Sequence, residues 1–120
     1  MQIPTERLAE YATKDHRLLI GLMSGTSADA VTAAAVRVTG AVPDVRAECL
    51  GFRQHPLPDR LQGAAQSPER LTAAKVAVLN VRFGEVFAEA TLALMEDLGL
   101  RTEDVDAVAS HGQTIAHLPD

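Results

Sequence analysis

The stretch Leu18-Leu19-Ile20-Gly21-Leu22-Met23 is apolar throughout, stops at Ser24-Gly25-Thr26-Ser27, and gives way beyond Asp29 to a second apolar run ending near Val36. Such a continuous run bounded by turn chemistry predicts a strand buried on both faces, with Ala33 to Thr39 as its antiparallel partner across the turn. Gly25 opens backbone dihedrals closed to other residues and lets a ligand come close, while Thr26 and Ser27 add hydroxyl donors to the turn's N–H groups. That combination suits a phosphate, and Asp29 is placed to hold a magnesium ion directly or through water. A hairpin turn that merely faces solvent has the same composition, so these four residues by themselves leave both readings open.

A chain of 120 residues makes one domain or part of one, burying roughly two thirds of the surface its unfolded form exposes. Aromatic residues are only 3% of the chain, so its core must be built from Ala, Val and Leu. With 11 basic against 16 acidic residues and no basic cluster, the composition argues against a nucleic-acid surface. The single Cys49 falls inside an apparent strand, which predicts a buried structural thiol and a reduced, cytoplasmic setting. No signal-like or membrane-length apolar segment occurs, so neither export nor a membrane is expected.

Residues 5 to 14 read as a short polar helix or arm with Thr5 as its cap, within a polar N-terminal extension, residues 1–17. Gly40 to Pro43 gives a second turn, and the alternation of Val45, Ala47, Cys49 and Gly51 predicts a third strand over residues 45–55. From Leu71 onward the period changes to three and four residues through Val78, Leu79, Phe83, Val86, Phe87, Ala90, Leu94 and Leu98. This predicts one long helix, with Ser67 as N-cap, Pro68 at the first helical position and Gly99 at the C-terminal cap. Gly84 in its middle implies either a closely packed neighbour or a bend. Val105 to Ser110 follows as a fourth strand, parallel to its sheet neighbour and left at the edge. The expected class is therefore α/β: a three-stranded antiparallel meander, a long helix, then a fourth parallel strand. This order begins a ribonuclease-H-like (actin-like ATPase) lobe, incomplete over residues 18–120.

At GLMSGTSADAV the chain resembles the N-terminal part of the anhydro-N-acetylmuramic acid kinases, whose pattern is GLMSGTSxDGxD. LNVRFGEVFAEA, residues 79–90, resembles that family's LNxxLGExFA helix, and ASHGQTIAHLP, residues 109–119, resembles its SHGQTxxHxP stretch. Three motifs in order are far more specific than a lone glycine-rich loop. The family is similar to the sugar kinase, Hsp70 and actin superfamily, and the resemblance implies ATP and Mg2+ as cofactors. It also implies a small-molecule anhydro amino sugar as substrate and a homodimer of the complete enzyme. The implied reaction opens 1,6-anhydro-N-acetylmuramic acid with water while phosphorylating it to N-acetylmuramic acid 6-phosphate, in cell-wall recycling.

Carried over by position, Gly25, Thr26, Ser27, Ala28, Asp29, Ala30, Val31 and Thr32 form the nucleotide phosphate-binding loop, with Asp29 near the metal. His111 and Gln113 belong to the substrate-facing cleft, where Gln113 would offer its amide to a sugar hydroxyl or acetamido group. For His111 a structural role at the strand end stands equally open. Asn80, Gly84 and Glu85 are read as helix packing and solvent-facing residues. Two positions depart from the pattern: Ala30 stands in place of Gly and Thr32 in place of Asp. No residue here matches the family's general-base aspartate, which is expected beyond residue 120, and neither Asp106 nor Asp120 lies in its motif. The expectation is thus part of a kinase without turnover by itself, or alternatively a non-catalytic nucleotide- or sugar-binding remnant.

Overall fold

The computed structural model describes residues 5–119, so Asp120 and residues 1–4 of the polar extension lie outside the described residues. Helix α1, Thr5–Thr13, leads into strands β1, His16–Ser24, β2, Ala30–Thr39, and β3, Arg46–Pro56. Helix α2, Asp59–Gln66, a single 3-10 turn at Pro68–Arg70 and the long helix α3, Ala73–Asp97, follow. A second 3-10 turn, Thr102–Asp104, precedes strand β4, Ala107–Ser110. The sheet order is β3-β2-β1-β4: three antiparallel strands as the meander pattern predicts, then β4 parallel to β1 at the edge.

Strand β1 alternates instead of being buried on both faces. Ile20, Leu22 and Ser24 point into the core, whereas Met23 is 58% exposed. The reason is that α3 packs on one face only, where Ile20, Leu22, Ala33 and Ala35 meet Phe83, Phe87, Ala90 and Leu94. Small alanines on the strands let the helix approach closely, which is how a core with few aromatics still fills. Leu19, Gly21, Met23 and Phe52 share the opposite face, which no described helix covers.

Cys49 belongs to that opposite face and is exposed, which corrects the expectation of a buried thiol. Strand β3 lies at the sheet edge, and a bulge leaves Leu50 unpaired between Cys49, opposite Val36, and Gly51, opposite Ala35. The extra residue changes the phase of the strand. Leu50 turns toward the core, and Gly51 accommodates the Leu98 side chain, whose Cδ2 would lie 2.9 Å from a Cβ at that position.

The expected single helix is broken in two. Ser67 caps only the 3-10 turn and makes no side-chain cap bond. Leu71 and Thr72 are extended, so α3 begins at Ala73, where Thr72 Oγ1 accepts the Lys75 N–H at 3.2 Å. Pro68 explains why α2 stops at Gln66, since it lacks an N–H and disfavours helical dihedrals at the residue before it. Helix α2 escaped the sequence reading because Pro58 and Gly63 mask it, yet Leu57, Leu61 and Ala65 recur every four residues and are all buried. Val78, assigned to the buried stripe, is 59% exposed.

The C-terminus of α3 is the expected glycine stop. Gly99 adopts φ 63°, the Gly99 N–H donates to Glu96 O at 3.1 Å, and the Leu100 N–H donates to Met95 O at 2.8 Å. This reciprocal pair is a Schellman motif. At Gly84 the expected closely packed neighbour is absent: nothing lies within 4 Å of where a Cβ would be, and α3 continues through it as helix. The glycine instead opens one wall of a groove.

Candidate phosphate loop and adjoining groove

Strand β1 ends at Ser24 and β2 begins at Ala30, leaving Gly25 to Asp29 as the connecting loop. Ala30, Val31 and Thr32 are therefore strand residues, opposite Pro56, His55 and Gln54, and Val31 is fully buried. Gly25, Thr26, Ser27 and Asp29 are exposed. The Ala28 N–H donates to Gly25 O at 3.0 Å, closing a turn, and Ala28 takes φ 50° with its methyl in the core. The left-handed residue is thus Ala28, whereas Gly25 has no positive φ, so the expected need for glycine's backbone freedom at position 25 is not met. Space remains open beside Gly25: the nearest atom to a Cβ would be Ser27 Oγ at 3.8 Å.

Ser27 Oγ donates to Asp29 Oδ1 at 3.1 Å, so the hydroxyl expected to face a phosphate orients the carboxylate instead. The backbone N–H groups of Thr26 and Ser27 have no acceptor among the described residues. Free amides beside a single exposed carboxylate suit an anion bound together with a hard cation. Magnesium keeps most of its water and takes one or two carboxylates plus phosphate oxygens, so Asp29 alone fits that donor set. Among the described residues no three His, Cys, Asp or Glu side chains gather into an all-protein metal cage.

Three sequence-distant segments meet here. Beyond β4, the His111 N–H continues the parallel ladder by donating to Leu22 O at 3.0 Å, while its side chain is exposed. Gly112 takes φ 77°, and the chain turns back so that Gln113 Nε2 donates to Gly25 O at 3.0 Å and to Thr114 O at 3.0 Å. Both amide hydrogens of Gln113 are thereby committed within the protein, unlike the expected amide free to meet a sugar. Its Oε1 is buried without a partner. Gln113 also walls a groove of about 280 Å³ with Ser110, Gly112, Asn80, Gly84 and Phe83, which joins the helix motif to the two loops. Glu85 faces solvent as expected and pairs with Arg82 at 2.7 Å.

One contributor was absent from the sequence reading altogether. Gln66, the last residue of α2, donates through Nε2 to Ser27 O at 2.6 Å. Recognising α2 from its four-residue apolar spacing would have placed this side chain beside the loop.

A model of the family described as Anhydro-N-acetylmuramic acid kinase matches residues 17–120. An anhydro-N-acetylmuramic acid kinase of Caldanaerobacter subterraneus subsp. tengcongensis is 42% identical over 96% of this chain and 30% of its own length. Those of Aliivibrio fischeri and Picosynechococcus sp. are 36% and 38% identical, each over 84% of this chain, covering 27% and 26% of their own lengths. The chain thus spans under a third of the length of these curated relatives. Among solved structures, a chain of CasPhi-2 (Cas12j) bound to crRNA and phosphorothioate-DNA aligns over 82% of this chain and 16% of its own. Its 22% identity and TM-score of 0.29 make that superposition too loose to define a fold. The match over residues 17–120 and the shared motifs establish that the chain belongs to the anhydro-N-acetylmuramic acid kinase family.

Proposed function

We propose that this chain carries the first phosphate loop and one wall of the sugar-facing cleft of an ATP-dependent kinase. The complete enzyme uses water to open 1,6-anhydro-N-acetylmuramic acid and phosphorylates it to N-acetylmuramic acid 6-phosphate, in the cytoplasm. The supporting observation is the Gln113 Nε2 to Gly25 O bond, which joins the Ser-Gly-Thr-Ser loop to the His-Gly-Gln-Thr turn at the ends of adjacent parallel strands. Ligands of α/β proteins commonly lie at the carboxyl ends of such strands.

In this reading the N–H groups of Thr26 and Ser27 donate to phosphate oxygens, and Asp29 holds magnesium through water. Bound magnesium neutralises the charge carried by the phosphate oxygens, the main requirement of phosphoryl transfer. Gln113 and His111 stand on the side of the cleft facing the sugar. No residue of this chain takes the general-base role, so it contributes binding and positioning without turnover of its own.

The test is titration of the isotopically labelled chain with ATP and magnesium, read by amide shifts. Changes concentrated at residues 25–29 and weakened by Asp29→Ala are expected. Shifts confined to other surfaces would overturn the assignment. Incubation with ATP, magnesium and the anhydro sugar should yield no phosphosugar; product that disappears in Asp29→Ala would show that the chain does catalyse.

A further inference from the structure

Two glutamines from different elements donate into the carbonyls of the same short loop: Gln113 into Gly25 O at 3.0 Å and Gln66 into Ser27 O at 2.6 Å. In a trans peptide the N–H points opposite to the C=O of the same plane. Holding Gly25 O toward Gln113 therefore aims the Thr26 N–H away from that side chain, where it has no acceptor among the described residues. Holding Ser27 O toward Gln66 fixes the next plane but one, whose N–H, on Ala28, closes the turn back onto Gly25 O at 3.0 Å. Gly25 O consequently accepts two hydrogen bonds, filling both lone pairs. The result is a loop whose carbonyls at residues 25 and 27 are each engaged by a glutamine side chain.

We infer that Gln66 and Gln113 are a pair of positioning residues that clamp the loop, engaging the Gly25 and Ser27 carbonyl oxygens so that an anionic phosphate meets N–H groups and not those repelling oxygens. This rests on the phosphate-loop reading for its purpose, although the clamp itself is a geometric claim. A loop free to rotate its peptide planes would present oxygens part of the time and would have to be ordered on binding, which weakens affinity. The clamp also accounts for Ala28, a non-glycine residue at positive φ, since over-determination by surrounding bonds is what sustains such a conformation. Both glutamines act here through the loop backbone they hold, so they are positioning residues.

The test uses Gln66→Met and Gln113→Met in the full chain, which keep side-chain length and remove the donors. Hydrogen exchange of the Ala28 amide should quicken at least tenfold in each, and the MgATP dissociation constant should rise about five- to tenfold. Asp106→Asn, far from the loop, serves as the stability control and should lower the melting temperature while leaving MgATP affinity within twofold of the parent. Unchanged Ala28 exchange in both glutamine variants would overturn the clamp. Affinity losses that merely track melting temperature, with the control losing as much, would overturn its positioning role. If the parent binds no MgATP but the variants lose Ala28 protection, the clamp stands and the phosphate reading falls. Should Gln113→Met fail to fold, the carboxamide hydrogens of Gln66 and Gln113 in the parent decide: protection beyond that of Gln54 supports the clamp, and equal exchange overturns it.

Discussion

Asp106 Oδ2 accepts the backbone N–H of Leu18 at 2.8 Å, so the carboxylate just before β4 stands in for a strand partner at the start of the β1–β4 ladder. Its other oxygen pairs with Lys14, and Arg17 lies close enough to act on it. Arg17 itself donates to Tyr11 O at 2.9 Å and Ala12 O at 3.0 Å, carbonyls of α1, so these contacts tie the N-terminal helix to the sheet. Burial pushes the Asp106 carboxyl upward, but the bonds from Lys14 and Leu18 outweigh it and hold the group below the usual carboxylate range.

A group whose folded pKa is depressed contributes stability above its unfolded value, about 3.9, and loses it as pH falls through the folded value. Asp106→Asn should therefore cost about 1–2 kcal/mol at neutral pH, mostly from the charge-assisted bond to Leu18, because the half-exposed Lys14 adds little. The gap between parent and variant should begin to narrow near pH 4, where the unfolded carboxyl protonates, and close as pH falls through the lower folded value. Urea midpoints measured from pH 7 to pH 3 check this; a gap that widens toward acid would show the opposite linkage.

The start of α3 gives a prediction that distinguishes two candidate caps five residues apart. Thr72→Ala removes the acceptor for the Lys75 N–H and should destabilise by about 1 kcal/mol. Ser67→Ala, which removes no side-chain cap bond, should lie within about 0.5 kcal/mol of the parent. Thermal melting of the two variants side by side reads the difference, and a larger effect at Ser67 would contradict the broken helix.

The meander and the parallel fourth strand were legible because apolar runs and turn residues are local signals, as at Leu18 to Met23 and Gly40 to Pro43. The exposure of Met23 and Cys49 was not, because burial depends on which face α3 covers, and periodicity cannot say whether the other face has a cover. The bulge at Leu50 likewise arises between strands. For the site, the motif residues identified the loop, but what holds it is nonlocal. Gln113 reaches Gly25 across 88 positions, and Gln66 reaches Ser27 across 39. No spacing rule connects such pairs; only the return of α2 and β4 onto the same end of the sheet does.

Two leucines two positions apart on α3 should respond very differently to truncation. Leu94 is 1% exposed and packs in the core, so Leu94→Ala removes buried methyl groups and leaves a cavity, costing about 2–5 kcal/mol. Leu92 is 62% exposed, and Leu92→Ala should shift stability by less than about 0.5 kcal/mol. A small domain has only about 5–15 kcal/mol in hand, so the first variant should begin to unfold at markedly lower urea. Comparable midpoints for the two would mean that α3 packs on a different face.

Ala30 supplies the last prediction, since it stands where the motif pattern carries glycine. If the loop needed glycine's freedom at that position, Ala30→Gly should improve both stability and phosphate binding. The structure argues otherwise: Ala30 begins β2, pairs with Pro56 and has no positive φ, while the left-handed residue is Ala28, two positions earlier. Glycine in a strand loses more conformational freedom on folding, so Ala30→Gly should destabilise by about 0.5–1 kcal/mol. MgATP affinity should stay unchanged, because the amides that face outward belong to Thr26 and Ser27. Calorimetric titration alongside thermal melting separates the two effects: a gain in affinity on Ala30→Gly would show that the methyl obstructs the phosphate after all.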